Sequence, residues 1–199
     1  MIKKVIYLYL IFLVCQVVIV SCCPTTSMFN FKLNTLKIEN SDLINVVSEN
    51  DVVNKNNYRI KCSMDVTANQ VTSDYVNSFI ASSYAFTCDS NGYEGLESPI
   101  TRFEIRCNKS IFGTPPNIPL SLNNLQVYKD GFTVDAKNIR YSVNDWLKIL
   151  NEGKFNIAFE WYFEFVEPIT SDDYLQFFIV LELENGQVFQ ANTKPVKLQ

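Results

Sequence analysis

Residues 155–165 read Phe-Asn-Ile-Ala-Phe-Glu-Trp-Tyr-Phe-Glu-Phe. Phe155, Ile157, Phe159, Trp161, Phe163 and Phe165 fall on odd positions, with Asn156, Glu160, Tyr162 and Glu164 between them. In an extended chain successive side chains point to opposite sides, so this period of two gives one apolar and one polar sheet face. Such an apolar face has to be covered by a second layer.

The neighbouring segments repeat the pattern. Leu175, Phe177, Ile179, Leu181 and Leu183 make a similar strand, ending at Asn185-Gly186, a strong hairpin signal. A return strand over 187–193 follows, and a two-residue turn would set Phe189 opposite Glu182, a register for which the sequence offers no reason. Upstream, Tyr58, Ile60, Cys62, Met64 and Val66 alternate with Arg59, Lys61, Ser63 and Asp65. Phe103, Ile105 and Cys107 oppose Arg102, Glu104 and Arg106, and Tyr84, Phe86 and Cys88 also keep period two. A first strand is expected over 29–38, followed by an Asn- and Asp-rich segment over 40–57.

Helical signals are few. Ser142 and Asp145 resemble a capping box, Val143, Trp146, Leu147 and Leu150 give an i, i+3, i+4, i+7 stripe, and Gly153 supplies a stop. A shorter stretch over 73–82 places Val76, Phe79 and Ile80 at helical spacing. Residues 108–131, with Pro115, Pro116 and Pro119, read as a long loop. The expected fold is mainly β: an antiparallel β-sandwich, immunoglobulin-like, with one or two short helices.

The N-terminus is of a different kind. Lys3 and Lys4 precede a mostly apolar stretch from Val5 to Val20, and Ile19-Val20-Ser21-Cys22 follows. A basic n-region, an apolar h-region and a small residue before a cysteine make a bacterial lipoprotein signal, with Cys22 as the lipid acceptor. A thiol is required because the diacylglyceryl group is attached through a thioether. Cys23 would put Cys22 at the cleavage position, where Ser21 fits better. The competing reading, an uncleaved membrane span, asks for roughly 17 to 25 apolar residues; this stretch is short and contains Gln16. The expected organisation is a signal peptide over 1–21, a lipidated tether over 22–28 and a single domain over 29–199.

Removing residues 1–21 takes two lysines and no acid, leaving 15 basic against 21 acidic residues, a net charge of about −6. An acidic chain has no electrostatic pull toward nucleic acid or anionic headgroups. Histidine is absent, so Ser-His-Asp and Cys-His catalysis and histidine-ligated zinc are excluded within this chain. With Cys15 in the signal and Cys22 lipidated, Cys23, Cys62, Cys88 and Cys107 remain as possible disulfide partners, with three connectivities open. Buried free thiols are the alternative, because Cys62, Cys88 and Cys107 are in phase with apolar neighbours. None stands in a Cys-x-x-Cys pair, and no cofactor or metal is implied.

Three groups of residues invite a functional reading. Glu160 and Glu164 flank Tyr162 like a glycosidase carboxylate pair around an aromatic platform, but four residues of strand span about 13 Å, beyond the roughly 5 to 9.5 Å such enzymes use. Solvated sheet-face charges account for them equally. Asp89, Asn91, Glu94 and Glu97 crowd a turn and could offer oxygens to calcium, yet the spacing fails the EF-hand pattern and turn-forming Asx residues explain it as well. Tyr93, Phe112 and Tyr128 lie in expected loops, where they could touch a ligand or fold onto the core rim.

Cys22-Cys23-Pro24, the run from Cys88-Asp89 through Gly92-Tyr93 and Gly95 into Ile100, Phe103 and Ile105, and the terminal hairpin around Gly186 ending near Thr193 are similar to a family of uncharacterised Bacteroidota lipoproteins, a domain of unknown function. The resemblance covers most of the chain after the signal. It implies a cell-envelope lipoprotein and brings no activity or catalytic residues. Residues 23–30 carry no acid, unlike surface-exported lipoproteins of that phylum, so the domain is expected to face the periplasm from the outer membrane. The expected role is non-enzymatic, binding a protein or glycan partner or serving the envelope structurally; the alternative is a carboxylate-based hydrolase acting on glycans.

Overall fold

A computed structural model describes residues 9, 28–43, 45–71, 93–129, 140–152, 160–169 and 171–199. The chain divides into two units. One comprises Met1–Phe29 with Gln70–Tyr93 and holds few of the described residues; the other, Asn30–Asn69 with Glu94–Gln199, has the architecture below.

The strands in chain order are β1 (Met28–Asp42), β2 (Asn45–Val46), β3 (Val52–Val53), β4 (Tyr58–Val71), β5 (Tyr93–Leu96), β6 (Ile100–Cys107), β7 (Leu125–Tyr128) and β8 (Arg140–Ser142). The helix α1 (Val143–Glu152) follows, then β9 (Glu160–Phe165), β10 (Tyr174–Leu175), β11 (Phe177–Leu183), β12 (Val188–Asn192) and β13 (Val196–Leu198). The fold is mainly β, with several antiparallel pairings and one short helix among the described residues.

The large sheet runs β2-β1-β4-β9-β7-β8, with β5 also on β1. The strand that decided the fold, β9, lies between β4 and β7. Ile60, Phe163 and Val127 form one row across these three strands and are fully buried. A second sheet, β12-β11-β6, is antiparallel throughout and aligns Ile105, Ile179 and Ala191. The two inner faces meet through rings: Phe103 stacks on Phe163 at 5.4 Å, and Phe177 meets Phe165 at 5.4 Å and Tyr58 at 5.7 Å. Phe177 is fully buried there.

The capping box closes α1 as expected: Ser142 Oγ donates to Asp145 Oδ2 at 2.7 Å and accepts from the Asp145 N–H at 3.1 Å. Val143, Trp146 and Leu150 form its buried stripe. Trp146 stands edge-on to Phe103 and Phe163, so the helix plugs the aromatic core.

Four details depart from the sequence reading. The hairpin after β11 is a three-residue loop: Gly186 N–H donates to Leu183 O, Leu183 N–H donates to Gln187 O, and Gly186 has φ +82°. Glycine adopts that left-handed conformation without a Cβ clash. The extra residue sets Phe189 opposite Leu181 and Val188 opposite Glu182, which resolves the odd register. The strand expected over 175–183 is broken at Gln176, whose N–H donates to Asn108 Oδ1 and whose Nε2 donates to Thr193 O.

A third sheet, β10-β13-β3, contains a parallel pair, Lys197 beside Val52 and Leu198 beside Val53, so the pairing is not antiparallel throughout. Strands of two or three residues carry no readable period. The expected loop over 108–131 contains β7, and its earlier part runs back along β6, with Asn117 N–H donating to Cys107 O and Leu120 N–H to Ile105 O. The strand over 84–88 and the helix over 73–82 lie outside the described residues.

Candidate functional site

The richest polar arrangement is on the outer face of the large sheet, over β4, β9, β7 and β8. Strand register builds it. Lys61 is opposite Tyr162, Tyr162 opposite Tyr128, and Tyr128 opposite Arg140. One row thus carries two phenol rings between two cations. The rings of Tyr128 and Tyr162 stack at 5.5 Å with an interplanar angle of 19°.

Arg59 lies beside this row. Its guanidinium carbon is 4.5 Å from the centroid of the Tyr128 ring, a cation–π contact. Its Nη2 is 3.8 Å from Glu164 Oε1, and Arg140 Nη2 is 3.1 Å from Glu164 Oε2. Arg59 Nε is buried with no hydrogen-bond partner among the described residues, so the ring face and the carboxylate carry the compensation for its desolvation. At the other end, Lys61 Nζ is 2.9 Å from Glu160 Oε1. Burial would lower the Lys61 pKa, but the hydrogen bond to Glu160 and the nearby anionic groups outweigh it and leave it raised.

Glu160 and Glu164 are therefore on one face, as expected, each with a cation at ion-pair distance. Their cationic partners are the residues sequence reasoning missed. The alternation of β4 puts Arg59 and Lys61 on its polar face, but only the pairing of β4 with β9 brings them to the glutamates. Tyr128 is a strand residue, 2% exposed, and not a loop aromatic. Phe112, at φ +51°, folds onto the core rim 5.8 Å from Phe165.

The remaining candidates fall as follows. Cys22, Cys23, Cys88, Asp89 and Asn91 lie outside the described residues, as do the side chains of Tyr93 and Glu94. Glu97 is exposed and accepts from Asn69 Nδ2 at 3.3 Å. Cys62 and Cys107 are free thiols, both buried. Burial pushes the Cys62 thiol pKa up to about 12. Burial also raises that of Cys107, against smaller opposing contributions from backbone hydrogen bonds. Among the described residues no cluster of three or more Cys, Asp or Glu side chains is placed to hold a metal ion, and no helix is long and apolar enough to cross a membrane.

The surface of the described residues also carries hollows. One of about 470 Å³ is lined by Lys32, Glu97, Ser98, Glu184 and Asn185 near the β11–β12 turn. Another, of about 520 Å³, runs between β12 and the β1–β2 corner. Comparison with protein-family models, with curated proteins and with solved structures finds no match to this chain.

Proposed function

We propose that this chain is a lipoprotein of the bacterial cell envelope, fastened by acyl chains on Cys22 to the outer membrane and facing the periplasm. Its role is non-enzymatic, either binding a protein or glycan partner or building the envelope. The observation that carries the reading is the order Lys3-Lys4, Val5–Val20, Ser21-Cys22, since each part answers a separate requirement of export, cleavage and thioether formation. Stable anchoring takes two or more acyl chains, which a fully lipidated cysteine provides. The similarity to Bacteroidota envelope lipoproteins points the same way.

An immunoglobulin-like sandwich is the architecture that goes with this role. Its support is the contact between inner faces at Phe103–Phe163 and Phe165–Phe177. The ion pairs of Glu160 and Glu164 favour binding or structure over hydrolysis, because both carboxylates already have cationic neighbours. Expression of Cys22→Ala with a clickable fatty acid tests the anchor. Label should be lost and uncleaved precursor should accumulate; undiminished labelling would move the acceptor elsewhere and overturn the reading.

A further inference from the structure

Each strand at the edge of a sheet presents a row of unpaired N–H and C=O groups, and folded proteins blunt such edges with charges, prolines, short length or a covering segment. Most edges described here follow that rule. β2, β3 and β10 have two residues each. β8 has three, begins with Arg140 and runs directly into α1. The free edge of β6 is covered by residues 117–120 through bonds to Cys107 O and Ile105 O.

β12 has none of these devices. Val188-Phe189-Gln190-Ala191-Asn192 contains no charge and no proline, and lies at the margin of its sheet. Its register fixes which groups are free. Gln187 O accepts from the Leu183 N–H and the Thr193 N–H donates to Phe177 O, so the backbone groups of Phe189 and Ala191, in phase with these two residues, also face β11. By alternation the N–H and C=O groups of Val188, Gln190 and Asn192 point away from the sheet. No described residue pairs with them, and the side chains of these three residues are exposed.

The 520 Å³ groove lies along this edge. Ala191, Leu36, Ile38 and Val47 supply apolar wall, with β1 opposite β12. Lys37 and Glu39 neutralise each other at 2.8 Å. Lys194 is then the one lining charge with no ion pair among the described residues. Its carbonyl accepts from Asn40 Nδ2 at 2.6 Å, which ties the end of β12 to β1.

We propose that the β12 edge is a docking site for an extended peptide segment of a partner protein, which adds a strand to the β12-β11-β6 sheet. Backbone pairing to Val188, Gln190 and Asn192 supplies affinity, and alternate side chains supply selectivity. The groove wall asks for apolar residues at every second position of the segment, and Lys194 asks for a carboxylate at one end. The inference rests on the binding role proposed above for the existence of a partner, but the edge does not depend on the anchor. Peptide binding by a Cys22→Ala chain that still took up the fatty-acid label would leave the edge standing while the anchor fell.

The test is selection of a phage-displayed random heptapeptide library on the full chain in detergent. Enriched sequences should alternate apolar and polar residues with an acid near one end, and the bound peptide should slow hydrogen exchange at Val188, Gln190 and Asn192. Gln190→Pro deletes one outward N–H at an edge position that tolerates proline and should weaken binding about tenfold. Methylating alternate backbone nitrogens of the peptide should abolish binding with the protein untouched. Failure to enrich any sequence, protection of amides elsewhere, indifference to N-methylation, or sedimentation as a dimer paired through β12 would each overturn the proposal.

Discussion

Thr193 holds Phe177 by two bonds: its backbone N–H donates to Phe177 O at 2.9 Å, and its Oγ1 accepts from the Phe177 N–H at 3.1 Å. Both residues are fully buried. The second bond satisfies a donor where β11 begins, just after the break at Gln176. Removing the hydroxyl in an isosteric way leaves that N–H buried without an acceptor, which costs about 1 to 3 kcal/mol. Thr193→Val should lose that much in urea denaturation, while Thr193→Ser should retain most of it. Equal midpoints for Val and wild type would show that the bond contributes nothing net.

How far the sequence speaks is clear from this end of the chain. The alternation of Phe177, Ile179, Leu181 and Leu183 was legible because every second side chain is buried, and burial is what selects apolar residues. The capping of α1 was legible because Ser142 and Asp145 act on each other locally. Thr193, Gln176 and Asn108 were not, because they meet only after β11 and β6 have paired. The same limit hid the outer-face cluster. Arg59, Lys61, Arg140, Glu160 and Glu164 come from three separate strands, and their contacts depend on a register that no single strand encodes. Short strands such as β3 and β13 were missed because two or three residues cannot show a period.

The two glutamates of that cluster should behave differently. Glu164 has a side chain 19% exposed and lies near both Arg59 and Arg140, whereas Glu160 is 58% exposed and touches only Lys61 among the ion pairs. Glu164→Gln removes the carboxylate that faces the partly buried Arg59, so its cost lies between the exposed-pair and buried-pair limits, about 1 to 2 kcal/mol. Glu160→Gln should stay within about 0.5 kcal/mol of wild type. Urea denaturation at low and high salt checks this. The Glu164 effect should persist in salt better than any Glu160 effect, and equal responses would dissolve the distinction.

The aromatic core makes a related demand on α1. Trp146 is fully buried, with its ring 5.1 Å from Phe163 at 85° and 5.2 Å from Phe103 at 71°. Truncating a buried tryptophan leaves a cavity that neighbouring rings fill only in part, at a cost of about 3 to 5 kcal/mol. Trp146→Ala should therefore lower the denaturation midpoint far more than Leu147→Ala, a change on the half-buried flank of the same helix. Similar losses for both would mean that helix propensity, not packing on Phe103 and Phe163, dominates.

Alkaline pH should unfold this protein through groups it buries in neutral form. Cys62 lies fully inside β4, and burial raises its thiol from an ordinary value of 9.0 to about 12. Tyr58, also in β4, donates its hydroxyl to Asn40 Oδ1 at 2.7 Å, and its pKa is raised well above 10.0 by burial first and by the nearby Cys107 second. In each case the folded state binds its proton more tightly than the unfolded chain. The stabilisation is complete below the unfolded pKa and is lost as pH climbs from there through the folded value, so for Cys62 the window is from 9 to about 12. Unfolding free energy measured in urea should be flat in this respect up to pH 8 and then fall. The fall should be shallower in Cys62→Ala, whose own loss of packing is already present at pH 7. Iodoacetamide at pH 8 should spare Cys62 in the native protein and modify it after denaturation without any reductant, since it is a free thiol. Parallel stability curves for wild type and Cys62→Ala from pH 8 to 11, or rapid native alkylation of Cys62, would show that the thiol is not held neutral by burial in β4.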